Sequence, residues 1–418
     1  MNIKNDIEEI CRKAKEASRF LAQMPSQSKS ACLMAMAKEL EKSFDEIEEA
    51  NSLDLEAGKK AGLSSALLDR LKLNLQRVKL MSEGLRQVAA LNDPVGEIIE
   101  KWTRPNGIEI EKVRVPLGVI AIIYESRPNV TVDSAGLCFK SGNAVILRGG
   151  SEAIHTNIAL SKILAKVLVA HHIPPEVIQL VETTDRNAIL ELLKMNGKID
   201  LVIPRGGEGL IKTVAENTSI PVIKHYKGVC HVYVDASANW DMAEQIVLNA
   251  KVQRPGVCNA AETLLVHQDL KKNFLPRVIQ SLQKKGVEIR ACPQTQSVVK
   301  DLKEATQEDW STEYLDLILS VKVVKDLNEA IFHINHYGSM HSDSIVTEDQ
   351  KAAEKFLNEV DAACVYHNAS TRFTDGFEFG FGAEIGISTE KIHARGPMGL
   401  RELTSYKYIV RGNGQIRS

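Results

Sequence analysis

The sequence predicts an α/β protein with two parallel-sheet domains and a β-hairpin ribbon. Three observations carry this. Short β-branched apolar runs alternate with helical stretches from Gly118 onward, the rhythm of βαβ units. A second such series begins after Cys258. An Asn106-Gly107 pair divides two alternating segments, which is a strong hairpin signal.

Taken in order, the first ninety or so residues read as helices, because Ile7, Ile10, Ala14, Ala17 and Leu21 recur at steps of three and four among Glu8, Glu9, Arg12, Lys13 and Lys15. Residues 95–115 form the hairpin. Strands are expected at 119–124, 144–147, 177–181, 201–203, 221–223 and 232–234, then at 263–266, 287–290, 317–324, 344–346 and 363–366. A last strand at 403–410 is placed to pair with the ribbon or with a neighbouring subunit. The expected division is 1–94 with 118–226 as one domain, 95–117 with 400–414 as the ribbon, and 227–399 as the domain carrying Cys258.

The 418 residues suit two or three domains, and 44% hydrophobic with 25% charged residues is ordinary globular composition. Basic and acidic side chains number 52 and 54 for a net charge of -2, so the field of a nucleic-acid coat or polybasic membrane binder is absent. Any anion must be recognised locally. Seven cysteines without a C-x-x-C or clustered Cys/His spacing indicate neither a disulfide framework nor a zinc site. The N-terminus has no apolar signal core, and no spanning run is apparent. A cytoplasmic chain without membrane or nucleic-acid partners is expected.

Two segments join a buried-type strand to a basic, glycine-rich turn and a helix: Arg148-Gly149-Gly150-Ser151 after 144–147, and Arg205-Gly206-Gly207-Glu208-Gly209 after 201–203. Such turns let backbone approach a phosphate at a helix start. Either alone reads equally as an ordinary turn. Two in one sheet point to a phosphorylated cofactor, although neither has G-x-G-x-x-G spacing. The stretch 380–386 has that look, yet follows no strand and opens no helix.

Among the thiols, Cys138, Cys230 and Cys364 lie in apolar patterns and read as packing residues. Cys258 follows Arg254-Pro255-Gly256-Val257, where a forced turn and a nearby cation favour an exposed thiolate. It is the candidate nucleophile. His333, His336 and His341 lack the spacing and carboxylate of a metal motif, so no metal is expected and this segment reads as polar structure near an active site.

The residues at this point resemble the gamma-glutamyl phosphate reductases, within the aldehyde dehydrogenase superfamily. The resemblance rests on Val324 to Ile345 with Tyr337-Gly338-Ser339 and His341-Ser342-Asp343, on Val115-Pro116-Leu117-Gly118-Val119, on Tyr124-Glu125-Ser126-Arg127-Pro128-Asn129, on Arg254 to Thr263, and on Gly396-Pro397-Met398-Gly399-Leu400. It covers almost the whole chain. It implies an aldehyde-dehydrogenase-like fold and NADPH-dependent reduction of L-glutamyl 5-phosphate through Cys258. It also implies cofactor contacts at Arg148, Gly149, Gly150 and Ser151 and at Arg205, Gly206, Gly207 and Gly209. Glu313 falls where such enzymes hold the nicotinamide ribose, without the Phe-Gly-Pro that usually follows.

Aldehyde-oxidising relatives carry a glutamate that activates water; here the matching Val222 to Gly228 has no acid. The oxyanion donor is Ser126 or Asn129, and Arg127 or Arg254 offsets phosphate charge. The resemblance further implies a homo-oligomer and a transient contact with a glutamate 5-kinase. The rivals are another acylating aldehyde dehydrogenase and a non-catalytic nucleotide-binding scaffold.

Overall fold

Every side chain of Val119–Tyr124 is buried in the computed structural model, which describes residues 3–417. That is how a parallel strand covered on both faces reads. It sits inside a four-stranded parallel sheet ordered Ile178–Leu180, Ala144–Arg148, Val119–Tyr124, Leu201–Arg205. Ile7, Cys11 and Ala14 of the helix Ile3–Leu21 pack with Val119, Ala121 and Ile123, so the predicted apolar stripe closes one face. The helix Ile154–Ala170 packs against Ser26–Lys42 and Phe44–Lys60. By length and composition Ser151–Ala170 passes for a membrane span, contrary to the sequence reading, but these packing contacts and the Lys166–Glu39 ion pair at 2.6 Å make it a core helix.

This sheet belongs to a unit comprising Met1–Lys224, Gly380–Gly386 and Met398–Ser418. One expected strand is shortened here and another is reduced to a bridge. Pro175 opens a 3-10 turn, Pro175–Val177, that takes Val177 from the strand. At 221–223 only a bridge between Val202 and Val222 forms, since Pro221 has no N–H for a ladder.

The ribbon is a three-stranded antiparallel sheet, Ile98–Thr103, Glu109–Pro116 and Thr404–Arg411. Asn106-Gly107 makes the turn with Gly107 at φ +85, and its N–H donates to Arg104 O at 2.9 Å. The last strand pairs with Glu109–Pro116 along its whole length. Lys112 lies 4.0 Å over the Tyr406 ring, while Ile98, Ile99, Tyr406, Tyr408 and Val410 stay exposed.

The second unit, His225–Phe379 with Ile387–Pro397, holds a seven-stranded parallel sheet. Its order is Lys303–Glu304, Glu288–Ala291, Ile318–Val324, Ala261–His267, Cys230–Val234, Ser342–Val346, Cys364–His367. The predicted strands are present with shifted ends, and Lys303–Glu304 is an unpredicted short edge. Val232, Leu264, Phe274, Ile289, Val321 and Val346 belong to one buried cluster. Asp326 and Asp349 cap Leu327–Tyr337 and Gln350–Glu359 by accepting from backbone N–H groups.

Candidate active site

In the second unit, helix Trp240–Val252 runs into the 253–260 loop, and strand Ala261–His267 follows. Cys258 therefore lies at the amino edge of the sheet. Glu313 precedes Ile318–Val324, His225 and Gly228 precede Cys230–Val234, and His341 precedes Ser342–Val346. These are four adjacent strands. The sheet thus gathers at one edge residues that the sequence scatters.

Cys258 is half-buried, whereas the other six thiols are buried. Burial pushes Cys11 and Cys32 up to about 12 and drives Cys138 and Cys230 higher. A ring nitrogen from His225, one from His341 and Cys258 Sγ all lie within 4.8 Å of one another. His225 Nδ1–H donates to Ile387 O at 2.9 Å, which leaves Nε2 as the lone-pair nitrogen. His341 is wholly buried, its Nδ1 is 2.8 Å from Ser342 Oγ, and its Nε2 has no hydrogen-bond partner. Burial and the neighbouring His225 hold His341 down to about 3, so it is neutral near pH 7.

The loop that carries Cys258 is braced on three sides. A Cβ on Gly228 would lie 1.9 Å from Cys258 O, so only glycine allows this approach. Gly228 N–H donates to Glu313 Oε1 at 2.9 Å, and Cys230 Sγ donates to Cys258 O at 3.2 Å. Arg372 Nε donates to Gln253 Oε1 at 2.9 Å and its Nη1 to Asn259 Oδ1, while Asn259 Nδ2 donates to Thr374 O at 2.8 Å. Burial, then the Arg254 charge, lower Arg372, and a Cys258 thiolate opposes that. Arg254 is exposed and makes no hydrogen bond or ion pair among the described residues.

In the first unit, Arg148 and Arg205 end strands on either side of Val119–Tyr124, in register with Ile123 and Tyr124. Arg148 is not the open cation the sequence suggested. It is buried, it donates to Gly149 O and, at 3.1 Å, to Thr184 O, and its Nε has no partner. Ser151 is exposed. A Cβ on Gly206 would meet Glu125 Oε2 at 2.4 Å. Its absence lets that carboxylate accept from Gly207 N at 2.9 Å, at the start of helix Glu208–Glu216. Gly209 lies in that first turn.

Both oxyanion candidates have partners within this unit. Ser126, at φ +39, gives its N–H and its hydroxyl to Glu152 Oε1 at 2.6 and 2.5 Å. Asn129 opens helix Asn129–Lys140 and gives one amide N–H to Asp133 Oδ2 at 2.9 Å. Arg127 is exposed on the turn before it.

A family model described as the aldehyde dehydrogenase family matches residues 2–298 and 298–409. The chain belongs to the aldehyde dehydrogenase family. It is 57% identical to a gamma-glutamyl phosphate reductase of Caldanaerobacter subterraneus over 412 residues, 99% of this chain and 100% of that one. A Moorella thermoacetica protein of the same name is 57% identical over 417 residues, all of both chains. The crystal structure of gamma-glutamyl phosphate reductase from Thermotoga maritima superposes with TM-score 0.97 at 48% identity, covering 99% of this chain and 100% of that one. As an aldehyde dehydrogenase family member the chain is an enzyme that uses a nicotinamide dinucleotide.

Sequence reasoning missed the roles of His225, Arg372, Glu125 and Glu152. His225 sits in the segment noticed only for lacking an acid, and Arg372 in a loop without a recognised motif. The one advance signal was the polar character of the His341 segment.

Proposed function

We propose that this aldehyde dehydrogenase family member reduces L-glutamyl 5-phosphate to L-glutamate 5-semialdehyde with release of phosphate, using NADPH, as a step of proline biosynthesis. The observation that carries the reading is the half-exposed Cys258 on its braced loop. Full-length relatives at 57% identity bearing the reductase name support it.

The Cys258 thiolate attacks the γ-carbonyl, and collapse of the tetrahedral oxyanion breaks the C–O bond to phosphate, leaving a thioester. The Cys258 N–H and a side-chain donor stabilise that oxyanion. Asn129 fits better than Ser126, because its amide has a second N–H whereas Ser126 is committed to Glu152. Arg254 and Arg127 offset the departing charge. When bound, NADPH supplies the hydride that reduces the thioester to a thiohemiacetal. Its breakdown from the oxyanion releases the semialdehyde and regenerates the Cys258 thiolate.

The chain fits such a cofactor. Gly207 N–H already donates to an anionic oxygen at a helix start, as a pyrophosphate requires. The exposed Ser151 offers a hydroxyl to a 2′-phosphate, Arg148 lies beneath it as a buried cation held on two carbonyls, and Glu313 serves the nicotinamide ribose. Arg205, Gly206 and Gly209 complete the second turn, and Gly149 and Gly150 the first. The missing acid at 222–228 removes the carboxylate that activates water in aldehyde-oxidising relatives. The exposed apolar ribbon serves homo-oligomerisation, and a cytoplasmic enzyme taking its labile substrate from a glutamate 5-kinase completes the reading.

The test is the reverse reaction. Reduction of NADP by glutamate 5-semialdehyde should depend strictly on added phosphate, and coenzyme A should not replace it. Turnover with coenzyme A instead would move the chain to the other acylating enzymes. Equal kcat/KM for NADPH and NADH would defeat the 2′-phosphate assignment.

A further inference from the structure

We infer that His225, Cys258 and His341 together bind a soft divalent cation, Zn2+ above others, which caps the nucleophile and holds the enzyme reversibly inactive. The three donors lie within 4.8 Å of one another. Tetrahedral zinc with ordinary Zn–N and Zn–S bonds separates its donors by about 3.3–3.6 Å, so side-chain adjustments of about an ångström close the site. Two imidazoles and a thiolate with no carboxylate favour Zn2+ and disfavour Mg2+ and Ca2+.

The surroundings have the form of a ligand shell. His225 Nδ1–H is fixed on Ile387 O at 2.9 Å. His341 Nδ1 meets Ser342 Oγ at 2.8 Å, and that hydroxyl meets Thr374 Oγ1 at 2.6 Å. Outer partners of this kind hold a metal-binding imidazole in one tautomer and orientation. His341 Nε2 is a wholly buried nitrogen without a hydrogen-bond partner, and a metal bond is one use for such an atom. The residues precede three adjacent strands, so the scaffold is rigid. On binding, the Cys258 S–H proton is released to solvent, the S–Zn bond forms, and no electron moves. A fourth position remains for water or phosphate.

The cation site rests on the geometry of this trio. Only its inhibitory consequence rests on Cys258 being the nucleophile, so the experiment reads the thiol without substrate. The purified enzyme in metal-free buffer is titrated with Zn2+ alone, and iodoacetamide labelling of Cys258 is followed by peptide mass spectrometry. Roughly micromolar Zn2+ should slow labelling at least tenfold, EDTA should restore it, and Mg2+ should do nothing. His225→Gln and His341→Gln should each raise the required Zn2+ by about 10–100-fold. The half-buried His225 keeps the test sound if the His341 variant fails to fold. Protection that persists unchanged in His225→Gln means zinc on the thiol alone and overturns the site, as does normal labelling at roughly a hundredfold higher Zn2+. With Co2+ as probe, a thiolate charge-transfer band that is absent from Cys258→Ala supports it, and no band overturns it.

Discussion

Lys251 Nζ stands 2.6 Å from Glu262 Oε2, with both side chains wholly buried. Lys251 lies near the end of one helix and Glu262 near the start of the next strand, so the pair ties together both ends of the loop that carries Cys258. Burial pushes Glu262 up to about 7 and Lys251 down, and the attraction between them opposes both shifts. Glu262 also accepts from Leu315 N at 3.2 Å.

Removing one partner strands the other charge in the core. Glu262→Gln should cost about 3–5 kcal/mol, read by urea denaturation at pH 7.5. The double variant Lys251→Met/Glu262→Leu should recover most of that loss. Additive losses in the double variant would show that the two residues act independently.

Arg372 reaches the loop from outside it and shares the field of Cys258. Arg372→Gln should move the pH profile of Cys258 alkylation upward by about one unit, because a nearby cation favours thiolate. A profile that stays in place would leave Arg372 a purely structural tie.

Glu125 holds the Gly207 N–H where a cofactor phosphate would bind. Glu125→Gln removes the competing charge, and the KM for NADPH should fall about three- to tenfold with kcat unchanged. Steady-state kinetics decide it, and a raised KM would mean that the carboxylate organises the turn.

Burial pushes the Asp133 carboxyl up to about 6. Its contribution to stability is therefore full below the unfolded value near 4 and is lost as pH rises through about 6. Asp133→Asn imitates the protonated form. It should be more stable than the parent by about 1–2 kcal/mol at pH 8, after allowance for partial exposure, with the gap closing below about pH 4. A gap independent of pH would contradict the linkage.

The sheets were legible because strands such as Val119–Tyr124 and Ala144–Arg148 are buried on both faces, and such strands are written as nearly continuous apolar runs. Pairing was less legible. The bridge at Val222 and the shortened Ile178–Leu180 strand depend on which prolines face a ladder, and periodicity does not report that. Cys258 stood out by its Pro-Gly turn. His225 and Arg372 gave no local signal, since their meaning lies in what they touch.

By itself the sequence determined the α/β class, the hairpin at Asn106-Gly107, the candidate thiol and, through its motifs, the family. Only the tertiary structure decided that His225, Gly228, Cys258, Glu313 and His341 precede the amino ends of four neighbouring strands. Sheet order sets which loops become neighbours, and strand order in a sheet need not follow order along the chain. The same applies to charge. Composition counted Arg148 and Arg205 alike, but folding buried Arg148 on two carbonyls and gave Glu125 the helix start beside Arg205. Desolvation and hydrogen bonding act on positions in space, and the chain acquires those only by folding.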